Sequence, residues 1–257
     1  MPKASIKSAR EIACMRESCR IVAEVLRLLG SAIAPGVSTG ELDRIAEEFI
    51  RSQDGTPAFK GYGPDRRNPF PTSICVSVDD EVVHGIPDGR VLEEWEIVAI
   101  DVGVKHNGYY GDGASTFAVG KVGEEKQRLM DVTREALYLG VAQAKAGRHV
   151  SDISSAVQKW VEGNGFSVVK ELVGHGVGRN LHEAPAVPNF IAVGESGKGV
   201  RLRAGMTLAI EPMVNAGTDR IKVDADGWTV RTVDGKPSAH FEHTVLITED
   251  EPEILTK

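Results

Sequence analysis

The sequence contains few cysteines, no long apolar run and no leading hydrophobic segment. The three cysteines, Cys14, Cys19 and Cys75, form no CxxC pair, which argues against a cysteine-based metal site and favours reduced thiols. No stretch approaches the roughly 18 apolar residues that a membrane-spanning helix needs. The first residues lack the apolar core of a secretory signal. These absences predict a soluble cytoplasmic protein with no membrane partner.

The overall composition is that of an ordinary globular protein. The chain has 257 residues, of which 41% are hydrophobic and 26% are charged, enough to bury a full core. The formal net charge is −7, which argues against a nucleic-acid-binding surface. We therefore expect no nucleic-acid substrate.

An internal repeat relates the two halves of the chain. A constant offset of 111 residues aligns seven positions of the first half with seven of the second: Glu24, Leu26, Leu28, Gly36, Leu42, Phe49 and Ile50 with Glu135, Leu137, Leu139, Gly147, Ile153, Trp160 and Val161. One residue short of that offset, the segment 92–101 aligns with 202–211. At a smaller offset of 91 residues, which an extra loop in the first half would explain, His84-Gly85-Ile86 is similar to His175-Gly176-Val177. Chance identities of common residues are the alternative, but the matches keep their order and join like elements.

The periodicities within each half predict a helix pair followed by strands. Two capping boxes, Ser8 with Glu11 and Ser38 with Glu41, mark helix starts. Short β-branched segments predict strands at 74–83, 96–104, 115–119, 167–172, 206–210, 227–232 and 239–248. No linker separates the halves. The sequence predicts an α+β fold and one catalytic domain over 1–257, with pseudo-twofold-related repeats at roughly 20–125 and 130–250.

Two carboxylates stand where apolar strands end. Asp101 follows Ile97 to Ile100, and its repeat partner Glu211 follows Leu208 to Ile210. Burying a lone carboxylate costs several kcal/mol unless a cation or hydrogen bonds compensate. Because the two would face each other across the pseudo-twofold axis, a shared cation is the natural solution.

Three further side chains extend this set. A hairpin with its turn at 105–108 would return Asp112 beside Asp101, and Glu242 lies on another apolar strand. His175 lies in a glycine-rich segment. Four carboxylates and one imidazole suit two divalent first-row ions, such as Mn, Fe, Co or Zn. Taken alone, any one carboxylate has an alternative explanation as a solvated turn residue or a strand-end cap, and for Asp112 alone this explanation is the favoured one; the whole set favours metal.

Several short motifs resemble those of one enzyme family. They are Val83-His84-Gly85-Ile86-Pro87, Ile100-Asp101-Val102-Gly103, Gly111-Asp112, Gly174-His175-Gly176-Val177-Gly178, Leu181-His182-Glu183-Ala184-Pro185, Ile210-Glu211-Pro212 and Phe241-Glu242-His243-Thr244. In order and context they resemble the bacterial type I methionine aminopeptidases, which have the pita-bread fold: two pseudo-twofold-related halves with an antiparallel sheet covered by helices. The resemblance covers essentially the whole chain.

The resemblance implies a role for each site residue. Asp101, Asp112 and Glu242 would hold one metal, and Asp112, His175, Glu211 and Glu242 the other, with Asp112 and Glu242 bridging. A metal-bridged hydroxide would attack the scissile carbonyl, with Glu211 taking the proton from the attacking water. His182 would stabilise the oxyanion, and His84 would contact the scissile amide.

The resemblance also suggests the walls of a methionine pocket, namely Tyr62, Phe70, Cys75 and Trp228. Leu181 and Phe70 depart from the family pattern, which commonly has an aromatic residue and a tyrosine at these positions. An ordinary core role is the alternative for each lining residue. Outside the motifs, His240 lies on the strand face of Glu242 and is a candidate to support the ligands.

The family resemblance implies the biological role and its rivals. The substrates would be N-termini of nascent polypeptides that carry the initiator methionine before a small second residue, with transient ribosome contact and a monomeric enzyme. No Xaa-Pro-type N-terminal domain, type II helical insertion or zinc-binding extension is expected in the chain. An aminopeptidase of Xaa-Pro specificity and a catalytically inactive binding module are the alternatives.

Overall fold

In the part of the chain that the structure describes, four helices form two pairs, one pair in each half. The computed structural model describes residues 4–63, 65–191 and 198–257; residues 1–3, part of the segment searched for a secretory signal, lie outside this set. The helices are α1 (Ala9–Ala32), α2 (Thr39–Ser52), α3 (Glu124–Val141) and α4 (Val150–Gly163). No helix in the described ranges is long and apolar enough to cross a bilayer. Cys14, Cys19 and Cys75 are free thiols, as expected.

The two predicted capping boxes differ in the structure. At the start of α1, Ser8 accepts the Glu11 N–H, and the Glu11 carboxylate accepts the Ser8 N–H at 2.9 Å. At the start of α2, Ser38 accepts the Glu41 N–H, but the Glu41 carboxylate binds Arg44 at 2.6 Å. The second box is therefore half formed, because an arginine one turn along the helix competes for the glutamate.

One large antiparallel sheet runs through both halves. The strands are β1 (Thr56–Pro57), β2 (Cys75–Val78), β3 (Glu81–Val83), β4 (Ile97–His106), β5 (Tyr109–Ala118), β6 (Ser167–Val168), β7 (Gly174–Gly176), β8 (Glu183–Val187), β9 (Thr207–Ile210), β10 (Met213–Asn215), β11 (Ile221–Val223), β12 (Val230–Thr232), β13 (Ser238–His240), β14 (Glu242–Leu246) and β15 (Glu253–Ile254). The large sheet has the order β1-β4-β5-β14-β9-β7-β8, with β2 beside β4 and β15 beside β14. Two three-stranded sheets, β13-β10-β6 and β11-β12-β3, flank it.

The internal repeat is visible in the backbone. Strands β4 and β5 of the first half match β9 and β14 of the second, and β5 and β14 pair at the centre. The turns before α2 and α4 are equivalent: Gly36 has φ 96°, Gly147 has φ 89°, and their N–H groups donate to Leu92 O and Leu202 O. The predicted pseudo-twofold arrangement of two α+β halves is confirmed.

The helices cover one face of the sheet. In the first half, α1 and α2 bury Ile21 and Leu42 against Ile100 of β4. In the second, α3 and α4 bury Leu137 and Ile153 in a cluster that includes strand β9. Side chains alternate along a strand, so Asp101, next to Ile100, lies on the face away from the helices. That opposite face carries the candidate site.

Several predicted strand limits were wrong. The segment 74–83 is two strands, β2 and β3, separated by a turn at Asp79, whose φ is 53°. The segment 239–248 is interrupted at Phe241, between β13 and β14. The hairpin turn is shorter than predicted, since β4 and β5 continue to either side of Asn107 and Gly108.

The predicted equivalence of His84 and His175 was also wrong. His175 pairs with Ala209 in β9, and the repeat partner of Ala209 is Ala99, which pairs with Ser77 in β2. Ser77 is therefore the structural counterpart of His175, whereas His84 follows the next strand, β3. The shared His-Gly pattern reflects local similarity alone.

Candidate metal centre

The five predicted metal ligands converge on one face at the middle of the sheet. Asp101 lies within β4, Asp112 within β5, Glu242 begins β14, Glu211 follows β9, and His175 is the central residue of β7. All five line a single cavity of about 290 Å³. Adjacent strands bring together residues from distant parts of the sequence.

The distances within this set suit metal coordination. The His175 Nε2 atom lies 3.4 Å from Glu211 Oε1 and 3.8 Å from Asp112 Oδ2. One ligand atom each from Asp112, His175 and Glu242 lies within 4.8 Å of the other two. Ligands about 2.0–2.2 Å from a common ion lie at such separations from one another.

A backbone hydrogen bond fixes the tautomer of His175. Its Nδ1 lies 2.9 Å from the carbonyl oxygen of Gly176, which can only accept, so Nδ1 carries the proton. The unprotonated Nε2 then faces the carboxylates. Burial, with a smaller contribution from His182, lowers the pKa of His175 to about 4. The imidazole is therefore held in the neutral form that binds metals.

The carboxylates are poorly compensated by the protein itself. Among the described residues, Asp101 Oδ1, Asp112 Oδ1 and Glu242 Oε1 are buried without any hydrogen-bonding partner. Burial raises the pKa of Asp101 to about 7. Burial and then repulsion between neighbouring carboxylates raise the pKa values of Asp112, Glu211 and Glu242 well above the usual range. Divalent cations would satisfy these oxygens, so the residues fit a metal centre.

This electrostatic arrangement predicts a pH-dependent response to metal. Because the folded-state pKa of Asp101 is raised, its stabilising contribution is present below about pH 4 and is lost as the pH rises through about 7. We expect the melting temperature of chelator-treated protein to fall over this window. The gain on adding Mn²⁺ should be larger at pH 7.5 than at pH 5, because protons compete with the metal.

Differential scanning fluorimetry across pH, with and without Mn²⁺, measures this response. Asp101→Asn serves as the control, since it removes the titrating group and should flatten that part of the apo profile. An equal metal-induced gain at pH 5 and pH 7.5 would contradict the interpretation.

Two threonines hold the central strands at the site. Thr244 Oγ1 accepts from the Asp112 N–H at 3.1 Å and donates to the Asp112 carbonyl at 2.8 Å. In the same way, Thr116 Oγ1 accepts from the His240 N–H at 2.9 Å and donates to the His240 carbonyl at 2.7 Å. The Thr244 hydroxyl thus holds the backbone of Asp112 from β14, in addition to the pairing of Asp112 with Gly103 of β4.

His182 and His84 lie beside the carboxylate set. The His182 ring centroid is 4.1 Å from that of His175, and its Nδ1 is 2.7 Å from the Tyr62 hydroxyl. His84 has a left-handed backbone with φ 58°, an uncommon state for a residue with a side chain. At Gly85 a Cβ atom would lie 2.2 Å from Val76 O, so only glycine allows this close approach. Both histidines line the cavity.

An apolar slot adjoins the centre. The four predicted pocket residues, Tyr62, Phe70, Cys75 and Trp228, all line the same cavity. The ring centroids of Phe70 and Trp228 are 5.3 Å apart, and the ring planes are nearly perpendicular. Cys75 pairs with Asp101 across β2 and β4, which places its side chain next to the carboxylates. Leu181 packs in the same cluster as Phe70 and Cys75.

The sequence analysis did not identify one aromatic residue of the cavity, Phe59, and named His240 only as a candidate to support the ligands. Phe59 also lines the cavity, and a Cβ at Gly103 would lie 2.6 Å from its ring. A glycine within an apolar strand was the available signal of such close packing. His240 is buried, its Nε2 lies 3.7 Å from Glu211 Oε2, and this atom has no hydrogen-bonding partner among the described residues. It therefore lies beside the carboxylate set, on the face that its strand position predicted.

A carboxylate-rich centre with one imidazole, beside an apolar slot in a duplicated sheet, defines a metal-dependent hydrolase. The model of metallopeptidase family M24 matches residues 13–249, and the chain belongs to this family. A Bacillus subtilis (strain 168) protein named methionine aminopeptidase 1 is 53% identical over 98% of both chains. A methionine aminopeptidase of Clostridium perfringens (strain 13 / Type A) is 50% identical, also over 98% of both.

Solved structures agree with these matches. The crystal structure of methionine aminopeptidase from Thermotoga maritima has a TM-score of 0.94 and 45% identity, covering 99% of this chain and 100% of that one. A Bacillus anthracis Xaa-Pro dipeptidase has a TM-score of 0.78 at 24% identity, and the match covers 62% of its length. The latter shows the fold alone. The predicted pita-bread fold is confirmed.

Proposed function

We propose that this protein is a metalloaminopeptidase that removes the initiator methionine from newly made polypeptides. The supporting observation is the convergence of four carboxylates and a neutral histidine beside an apolar slot. The full-length similarity to methionine aminopeptidases supports the same activity. The substrates are N-termini of nascent chains.

Two divalent ions match the donor set better than one. Asp101, Asp112 and Glu242 would hold one ion, and Asp112, His175, Glu211 and Glu242 the other, with Asp112 and Glu242 shared. Carboxylate and imidazole ligands accept Mn, Fe, Co or Zn. Such a pair supplies Lewis-acid activation of both the attacking water and the scissile carbonyl.

The remaining chemistry is assigned to side chains of this chain. Glu211 would accept the proton of the attacking water, since it is the carboxylate least committed to bridging, and burial raises its pKa. When the Tyr62 hydroxyl donates to His182 Nδ1, the opposite nitrogen, Nε2, carries a hydrogen. That N–H would stabilise the oxyanion. His84 would contact the scissile amide and help the amine leave.

The slot explains a preference for methionine. Phe70, Trp228 and Leu181 provide apolar surface, and Cys75 provides a soft, polarisable wall. The limited volume of about 290 Å³ leaves little space past the scissile bond, so small second residues are expected.

Hydrolysis of a panel of short peptides tests both this function and the contribution of the apolar slot to the methionine preference. Wild type should cleave Met-Ala-Ser faster than its Leu-led analogue by a modest factor, since a hydrophobic pocket discriminates by about 1–3 kcal/mol. Trp228→Ala should weaken this preference while bound metal is unchanged. Steady-state kcat/KM values for peptides varied at positions one and two provide the measurement.

Trp160→Ala is the matched control, because Trp160 is an exposed tryptophan on α4 outside the cavity. It should keep the wild-type preference. If wild type cleaves Leu-led or Pro-led peptides as fast as Met-led ones, the initiator-methionine role is wrong even where the metal dependence holds.

The proposal extends to organisation and cellular context. We take residues 1–257 as one catalytic domain, supported by the sheet that passes through both halves. A nascent-chain substrate places the activity in the cytoplasm, with transient ribosome contact. The site is complete within one chain, which supports a monomeric enzyme.

A further inference from the structure

Lys7 is a buried lysine outside the metal centre. Its Nζ atom lies 2.9 Å from Glu183 Oε2, and the two side chains are 5% and 13% exposed. This is the most buried lysine or arginine ion pair in the described part of the chain. Lys7 Nζ also donates to Ser5 Oγ at 2.5 Å, and Ser5 Oγ donates to Glu183 Oε2 at 2.7 Å. Lysine is almost never buried unless it is paired.

The partner carboxylate lies at the end of the loop that carries His182, where Glu183 begins β8. Glu183 directly follows His182, and its other oxygen, Oε1, accepts the Asn180 N–H at 3.1 Å. At Gly178, a Cβ atom would lie 2.6 Å from Lys7 Cε and 2.9 Å from the Glu183 carboxylate. The N-terminal segment 4–8 therefore packs directly on the loop 178–183. We call this segment the N-terminal strap.

The strap is itself held by the second half of the chain. The Lys7 N–H donates to the carbonyl of Gly205 at 2.8 Å, just before β9. By contrast, His182 is exposed at the rim of the cavity, and Tyr62 is the hydrogen-bonding partner of its ring. The position of its backbone therefore depends on what fixes the loop. Two ion pairs hold this loop: the buried pair of Lys7 with Glu183, and the more exposed pair of Arg179 with Glu11 at 3.2 Å.

We propose that Lys7 is a positioning residue for His182, acting through its ion pair with Glu183. The inference deepens the proposed function and rests on the role of His182 given there. A buried ion pair is a poor source of net stability, because desolvation offsets the attraction. Its geometric value is greater: a displacement of about 1 Å at a catalytic group can reduce a rate by up to about 10²-fold.

Lys7→Met in the metal-loaded full chain tests the proposal. We expect kcat to fall roughly 10-fold, with KM changed less than about twofold, because an interaction of the transition state is weakened. Metal affinity, measured by calorimetry, should be unchanged. Lys7→Arg should recover part of the loss. Arg16→Met is the matched control, since it removes the exposed pair of Arg16 with Glu253 on the same N-terminal side of the fold.

A double variant separates positioning from simple anchoring. Lys7→Met combined with His182→Ala should be no slower than His182→Ala alone, because both changes act on one group. Hydrogen exchange in peptides covering 178–183 should be faster in Lys7→Met and unchanged in Arg16→Met. If Lys7→Met lowers the melting temperature but leaves kcat at the wild-type value, the segment is only an anchor and the proposal is overturned.

Two other results need to be distinguished from an unchanged kcat in Lys7→Met. If His182→Ala itself keeps wild-type kcat, the proposed role of His182 fails first. If Lys7→Met does not fold, Ser5→Ala takes its place, because it removes the two hydrogen bonds of Ser5 in the same triangle and leaves the ion pair. A smaller fall in kcat with faster exchange in the loop supports the proposal, and unchanged kcat overturns it.

Discussion

Asp112→Asn and Glu242→Gln should each abolish peptide hydrolysis and reduce the metal bound at both positions. Each amide keeps the shape of the side chain but loses the charge that two ions would share. The loss of activity should exceed the 10- to 100-fold typical of changes outside the ligand shell. Hydrolysis of Met-Ala-Ser over a Mn²⁺ titration, together with bound metal measured by mass spectrometry, checks this expectation.

The same variants should shift stability in a characteristic way. Without metal, Asp112→Asn should melt at a higher temperature than wild type, because it removes a buried carboxylate that neighbours repel. With metal, wild type should be the more stable. Asp131→Asn is the matched control, as Asp131 lies on the surface of α3 in a pair with Arg134. Full activity in a strong chelator, or in either ligand variant, would rule out the dinuclear centre.

His182→Ala should lower kcat by about 10²-fold or more while the protein keeps its metal. The expected loss is that of a donor to the oxyanion, a contact made in the transition state. Tyr62→Phe should give a smaller decrease, because it removes the hydroxyl that orients the ring but leaves the imidazole. Steady-state kinetics at saturating metal, with metal content measured on the same samples, provide the test. Loss of metal from His182→Ala would instead make His182 a ligand.

The central part of the site could be predicted from the sequence, because burying carboxylates in apolar strands is energetically costly and therefore indicates a compensating partner. Asp101 and Glu211 interrupt apolar strands at equivalent positions of a repeat, where a carboxylate without a counterion is unfavourable. Because side chains alternate between the two faces of a sheet, the candidate ligands are then predicted to lie on one face. The structure brings Asp101, Asp112, His175, Glu211 and Glu242 to one cavity, as that reasoning expected.

Other features depend on contacts that local sequence does not encode. Lys7 reads as an exposed lysine, because its partner Glu183 is 176 positions away. Phe59 follows the two-residue strand β1 and reaches the cavity only because Gly103 leaves space for its ring. His84 was aligned with His175 by a local motif, whereas hydrogen-bonded pairing between strands determines the true counterpart.

The position of Asp112 and Glu242 at the β5–β14 junction has a consequence for folding. These two strands are where the halves meet in the large sheet, and β14 lies near the end of the chain. An isolated first half would contain Asp101 and Asp112 but neither Glu242 nor His175. The complete set of proposed ligands would therefore exist only after the last strands have docked. Under the proposed assignment, metal would bind the finished molecule and not its precursors, so the ions would stabilise the native state by mass action and resist separation of the halves.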